Sequence, residues 1–312
     1  MALVVPAPVG VRAMVAAGWR ALSRYTGTLL AVFVVQMIVS AACMLAVAAV
    51  LAPVFAHSPL FDDAVDGDLV ALITCVRAAR SAIVASGGIV FGFVLLWQLA
   101  TWFLVGGIYG VLAQQPEGRG ATARCFGASG TATYLTYARL ALCELPGWLL
   151  VVFALSTGLG MAWPHIEHAL TIAEAVVPLA AAVLPSLILF HLAWTIGDYA
   201  RLELTLRQDS HAPGVVATYL RSVAFVVTRP ITLVHASFGW IGFAIVTIGS
   251  MFLAQGHAMF GAEGAITLYV IREGTALARL AIRFAVLGGQ VELARTRPLP
   301  PRRVEAKLEA IA

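Results

Sequence analysis

The sequence predicts an all-α integral membrane protein: six transmembrane helices in three hairpins, each hairpin preceded by an interfacial amphipathic elbow helix. Three observations predict it. Of 312 residues, 61% are hydrophobic and 12% charged, whereas about a quarter of a soluble domain is charged; the mean hydropathy is +0.91. Six stretches reach the roughly 20 apolar residues needed to cross a bilayer core about 30 Å thick. Arginine, finally, collects on alternate connecting segments, as the charge asymmetry of membrane loops requires. A soluble fold this poor in charge cannot cover its own surface. That excludes a soluble enzyme, a nucleic-acid reader and a secreted disulfide scaffold.

The six stretches run from Thr28 to Ala52, Ala82 to Ile108, Pro146 to Trp163, Val176 to Gly197, Ile231 to Ala254 and Ala265 to Gly289. They lack the alternation of a barrel, and a helix satisfies its own backbone in lipid. No short apolar stretch with a small-residue cleavage site precedes the first of them, so insertion through an uncleaved first helix is expected. Three segments that lead into spans are short and amphipathic: MVAAGWRALSRYTGTLL (14–30), TATYLTYARLAL (131–142) and GVVATYLRSVAFVVTRPITL (214–233). The string ATYL occurs in two of them. Each carries an arginine a few residues before its span (Arg24, Arg139, Arg229), placed to anchor at headgroup level. Between the first two spans, 69–81 reads as a further amphipathic helix. Residues 1–292 form the membrane domain on this reading, and 293–312 a basic cytoplasmic tail.

Orientation follows from the same arginines. Arg12, Arg20, Arg24, Arg119, Arg124, Arg139, Arg201, Arg207, Arg221, Arg229 and the tail residues Arg295, Arg297, Arg302, Arg303 and Lys307 share one side. The other side has Arg77 and Arg80 against Asp62, Asp63, Asp66, Asp68, Glu167, Glu174 and Glu263. Both termini are therefore expected in the cytoplasm. The single lysine among 20 basic residues, with abundant Ala, Val, Leu and Gly, points to a high-GC bacterium, and the expected location is the bacterial cytoplasmic membrane.

The sixth stretch holds the most unusual pattern. Arg272, Arg279 and Arg283 fall within about 40° of one another on a helix, Gln290 continues their stripe, and Glu273 sits one position away. Intramembrane arginine is costly and faces protein or water. Two readings follow: a cationic wall for an anionic headgroup, phosphate or carboxylate, or structural neutralisation by acidic groups, with Glu144, Asp198 and Glu273 as the ion-pair partners. His191 and His235 lie inside the fourth and fifth stretches, and His235 shares a face with Gly239, Gly242 and Gly249, a pattern of close helix packing with one interhelical hydrogen bond. Gly88/Gly92 and Gly106/Gly110 form two GxxxG patterns, and Pro178 and Pro185 are expected to kink the fourth span.

Other motifs are weaker. His165 and His168, with His57 and His257, fall on the outer side as metal candidates, but HxxH is short and no HExxH accompanies it. Asp62, Asp63 and Asp66 spell DDxxD without a second acidic motif, and the calcium-loop pattern fails at Ala64 and Ile73. Cys43, Cys75, Cys125 and Cys143 show no ligand or redox spacing. No phosphate-binding loop or nucleophile elbow is present in the sequence. No metal or cofactor is implied, and no catalytic residue.

Gly106-Gly107, the loop AQQPEGRGATARCF and the segment GDYARLELTLRQDSHAPGVVATYLRSVAFVVTRP resemble bacterial six-span proteins grouped with the membrane domain of glycerophosphoryl diester phosphodiesterases. The resemblance implies three elbow-plus-hairpin units over nearly the whole chain. It implies no catalysis, because the phosphodiesterase barrel has no place in 312 residues already occupied by spans. The expected function is a non-enzymatic assembly or accessory subunit contacting the bilayer, anionic lipid or a protein partner. The alternative is a carrier or permease for an anionic or amphipathic molecule along the arginine stripe; an intramembrane lipid-modifying enzyme ranks third.

Overall fold

The structure is a computed structural model that describes residues 10–56, 68–207, 214–256 and 262–296. Among the described residues there are nine helices and no strands: α1 (Val11–Arg24), α2 (Thr26–Ala56), α3 (Leu69–Ala78), α4 (Arg80–Gln114), α5 (Arg119–Glu167), α6 (Ile172–Leu206), α7 (Val215–Thr228), α8 (Pro230–Gly256) and α9 (Ala262–Thr296). Five are long and apolar enough to cross a membrane: α2, α4, α5, α6 and α8. This is the architecture of a multi-pass membrane protein.

The sixth expected span falls on α9. At 35 residues and 1.5 Å per residue it is about 52 Å long, more than a bilayer core requires. Its charges set it apart from the other five. Arg272, Glu273, Arg279, Arg283, Glu292 and Arg295 interrupt its apolar character.

The segments read as elbows divide into two kinds. α1 ends at Tyr25, whose backbone leaves the helical region (φ −113°, ψ 30°) before α2 begins. α7 ends at Arg229, and α8 starts on Pro230, a residue suited to a first helical position because its missing N–H would be unpaired there anyway. Residues 131–142, by contrast, are no separate helix. They lie within the 49-residue α5, which passes through Pro146 unbroken and is about 73 Å long. α6 likewise runs unbroken through Pro178 and Pro185. Its start is tied by reciprocal bonds: Glu174 N–H donates to Thr171 Oγ1 at 3.3 Å and Leu170 N–H to the Glu174 carboxylate at 2.9 Å.

The chain forms two compact units, one of 1–29 with 105–312 and one of 30–104. The smaller holds most of α2 and α4 with α3 between them. α3 is capped by Asp68, whose Oδ1 accepts from the N–H groups of Val70 and Ala71 at 2.8 and 3.1 Å. A Cβ placed on Gly88 or Gly92 of α4 would meet nothing within 4 Å, so this GxxxG pattern packs against no other helix among the described residues.

The larger unit carries the core, and the core sits at one end of its helices. Buried side chains gather over 108–112 of α4, 129–144 of α5, 195–205 of α6, 218–226 of α7, 232–236 of α8 and 284–294 of α9, with Met14 and Ala17 of α1. Beyond that layer α5, α6 and α8 present exposed Leu149, Phe153, Val177, Leu184, Ile245 and Phe252. Glycine allows the closest approaches. A Cβ on Gly18 of α1 would overlap the Ala285 carbonyl of α9; on Gly106 and Gly110 it would overlap Thr133 and Ser129 of α5. Gly239 and Gly242 of α8 face Val286 and Ile282 of α9, so that expected packing face exists, although Gly249 meets nothing.

Candidate functional site

Within this core, ionised side chains from three helices close on one another. Asp198 of α6 is the centre, with 1% of its side chain exposed. Arg283 of α9 donates to both of its carboxylate oxygens, Nη1 to Oδ2 at 2.7 Å and Nη2 to Oδ1. Gln290, two turns further along α9 and fully buried, donates to Oδ2 at 3.3 Å. Arg201 Nη1 stands 3.6 Å from Oδ1, while its Nη2 contacts the two oxygens of buried Glu144 on α5 at 2.7 and 2.6 Å. The resulting chain of alternating charge runs Glu144, Arg201, Asp198, Arg283.

Two tyrosines fasten this chain to the neighbouring backbone. Tyr109 of α4 donates toward the Asp198 carbonyl at 3.1 Å and lies 3.4 Å from Gln290 Oε1. Tyr137 of α5 reaches the Arg201 carbonyl at 3.0 Å and shares a 2.6 Å hydrogen bond with Thr205. An aromatic layer follows directly: Arg283 lies 5.0 Å from the Trp194 ring centre, and Trp194 meets Trp148, Phe190 and Trp240 at centroid distances of 5.6–6.3 Å. Such packing adds cation–π attraction to the ion pair. On the same helix as Asp198, Glu203 pairs with Arg207 one turn on.

The predicted arginine stripe is thus divided. Arg283 and Gln290 turn inward to Asp198. Arg279 and Arg272 are exposed and line an open groove of about 370 Å³ between α8 and α9, with Ser250, Met251, Ala254, Leu268, Ile271, Thr275 and Ala276. Arg279 donates to the Thr247 hydroxyl. Of the three carboxylates expected to neutralise the stripe, two do so: Asp198 pairs with Arg283 and Glu273 with Arg272. The Glu273 contact is 3.6 Å, between sequence neighbours, and Glu144 pairs instead with Arg201.

Among the anchor arginines, Arg24 bonds Glu117 at 3.4 Å, Arg139 is exposed, and Arg229 stacks 4.3 Å from the Phe225 ring centre. The interhelical hydrogen bond expected of His235 is found at His191, whose Nε2 lies 3.2 Å from both the Leu233 carbonyl and Ser237 Oγ. His235 is buried against Gly289, and its Nδ1 has no hydrogen-bond partner among the described residues. His165 and His168 are exposed at the end of α5, and no metal-holding group of three or more His, Cys, Asp or Glu occurs among the described residues. His57, His257, Asp62, Asp63, Asp66 and the tail from 297 onward lie outside the described residues.

Sequence reasoning passed over Arg201, Tyr109, Tyr137 and the tryptophans. The first had a visible signal, the i,i+3 spacing of Asp198 and Arg201 in GDYAR. Comparisons with protein-family models, curated proteins and solved structures give no match.

Proposed function

We propose that this protein is a non-enzymatic accessory or assembly subunit of the bacterial cytoplasmic membrane. Six helices cross the bilayer, α9 being the sixth, and both termini are cytoplasmic. α1 and α7 serve as interfacial elbows, and residues 131–142 do the same work as the first part of α5. The likeness to the membrane domain of glycerophosphoryl diester phosphodiesterases belongs to this proposal and rests on Gly106-Gly107, the loop that follows α4 and the segment that begins at GDYAR.

The observation that carries the reading is the closed chain of Glu144, Arg201, Asp198 and Arg283. In a transport path or a reaction centre, charged groups are turned toward a ligand. Here each carboxylate is consumed by a guanidinium of the same protein, and the tyrosines tie both to neighbouring helices. Such a network fixes helix register and rotation. It supports a rigid platform whose working surfaces are its basic elbows and tail, suited to anionic lipid or a protein partner.

The groove bearing Arg272 and Arg279 favours a second reading, a carrier for an anionic or amphipathic molecule. Vesicles reconstituted with the full chain separate the two: no flux of organic anions is expected, and flux abolished by Arg279→Gln would establish the carrier instead. Gentle purification followed by mass spectrometry should retrieve a stoichiometric protein partner for an accessory subunit. Topology is checked by single cysteines at Ser58 and Ala310. An impermeant reagent applied to intact cells should label the first only; labelling of the second would reverse the orientation.

A further inference from the structure

We infer that two copies of this chain pair through the outward face of α4, with the side-chain amides of Gln98 bonded to each other across a two-fold axis. The inference goes beyond the proposed function, since it holds for an accessory subunit and a carrier alike, and it requires only that α4 crosses the membrane. Gln98 stands at the midpoint of the 35-residue α4, about 24 Å or more from either end, and its side chain is exposed. Among the described residues it has no hydrogen-bond partner.

Hydroxyls in the long helices return their protons to their own backbone. Thr101 donates to the Trp97 carbonyl at 2.8 Å, Ser156 to that of Phe153 at 3.1 Å and Ser186 to that of Val183 at 2.7 Å. A primary amide, with two donors and an acceptor, is not satisfied in that way, and hydrocarbon offers no water in its place. Pairing with an amide on another helix removes the cost. The remaining amides of the long helices are placed otherwise: Gln36 is half-buried, Gln290 bonds Asp198, and Gln114 and Gln255 lie at helix ends.

The face around Gln98 has the pattern of a helix contact. Val84, Phe91 and Gln98 recur every seven residues, and Gly87 and Val94 fall between them at the spacing of a heptad seam. At 100° per residue all five lie within an arc of about 80°. Val84, Phe91 and Val94 are each more than half exposed, and a Cβ on Gly87 would meet nothing within 4 Å. The chain covers the opposite side of α4 instead, where Ser86 is buried and Ile89, Phe93, Trp97 and Ala100 are half-buried. Symmetry makes the occupant a second copy. Two copies inserted the same way in one membrane are related by an axis along its normal, so each seam residue meets its own counterpart at equal depth. An amide is its own complement, each Gln98 donating to the oxygen of the other. Gly87 lets the two backbones approach. Arg80, in line with the seam, starts α4 at the membrane surface, where water and salt screen it from its counterpart.

The test counts copies of the full chain in phosphatidylcholine vesicles by single-molecule photobleaching over a series of protein-to-lipid ratios. Two-step spots should dominate at high ratio and give way to one-step spots on dilution. Gln98→Leu, which removes no hydrogen bond within the chain, should weaken pairing roughly tenfold, and Gln98→Asn should recover part of it. Gly87→Leu should weaken pairing as well, whereas Gly92→Leu, about 120° round the helix from Gln98, should leave it unchanged. One-step spots at every ratio, or pairing unmoved by both Gln98→Leu and Gly87→Leu, overturns the inference. In native membranes, with the four native cysteines replaced by alanine, Val94→Cys should form a disulfide between two copies and Leu96→Cys, on the far side of α4, should not; the reverse pattern refutes the seam. A photo-crosslinker at Phe91 should capture this same chain. Capture of a different protein in its place would give the face to another partner and overturn the second copy. Labelling of Gln98→Cys by an impermeant reagent in intact membranes would place α4 in water and remove the premise.

Discussion

Replacing Arg283 with Gln strands Asp198 in the most enclosed part of the core, and the cost follows from its surroundings. Removing one partner of a buried ion pair destabilises by about 3–5 kcal/mol. Asp198, with 1% of its side chain exposed, would keep Gln290 at 3.3 Å and Arg201 at 3.6 Å, so the low end applies, about 3 kcal/mol. Asp198→Asn should cost a similar amount: Arg283, 22% exposed, regains some water but faces Arg201 with no shared carboxylate. The double variant Asp198→Asn/Arg283→Gln joins two neutral amides that can bond each other, and should lose no more than either single change. The coupling energy is then at least about 2 kcal/mol. Reversible unfolding in mixed detergent–dodecyl sulfate micelles, followed by tryptophan fluorescence, measures it, because Trp194 lies 5.0 Å from the Arg283 guanidinium. Losses that simply add, with coupling under about 0.5 kcal/mol, would refute the claim that these groups act as one unit. A charge swap should not rescue stability, since an arginine at 198 would meet Arg201 one turn on.

The glycines give a contrast within one helix. Gly106→Ala and Gly110→Ala force a methyl into Thr133 and Ser129 and should each cost about 1–3 kcal/mol in the same assay. Gly88→Ala and Gly92→Ala meet nothing and should be neutral or gain roughly 0.5–1 kcal/mol from helix propensity; loss on the second pair would mean that this face packs against another chain. Gly18→Ala puts a methyl within 2.8 Å of the Ala285 carbonyl carbon and should release α1 from α9, read as faster proteolysis at Arg20 or Arg24. Tyr137→Phe should cost about 1 kcal/mol, no more, because Thr205 still bonds the Arg201 carbonyl at 2.9 Å and no buried donor is left alone.

Apolar runs were the legible part of the fold, because hydropathy over 18 or more residues needs no knowledge of neighbours. What the one-dimensional pattern lacks is helix rotation. The stripe of Arg272, Arg279, Arg283 and Gln290 lies on one face of α9, yet α6 covers only its last two members and α8 leaves a groove beside the others. Glu144 was visible as an acidic group near a span end, but its partner depended on which face of α6 met α5. The limits of the second elbow, 131–142, were illegible for a different reason. A proline such as Pro146 ends a helix in water, where freed carbonyls gain solvent, but it is tolerated in a membrane helix whose freed groups find partners locally.

The position of the core bears directly on the proposed function. Lipid is as apolar as leucine, so nothing hydrophobic draws the exposed outer parts of α5, α6 and α8 together. Specific association must come from close glycine contacts and polar pairs, and in the larger unit these gather at one end. α9 belongs to both regimes. Its last third, from Phe284 to Ala294, is buried and held through Arg283; its first half is more open and carries Arg272 and Arg279. Breaking the pair at Asp198 from one side should cost about 3 kcal/mol, because a buried charge is left without its partner. That pair therefore fixes only the last third of α9, while Arg272 is held by Glu273 and Arg279 by the Thr247 hydroxyl.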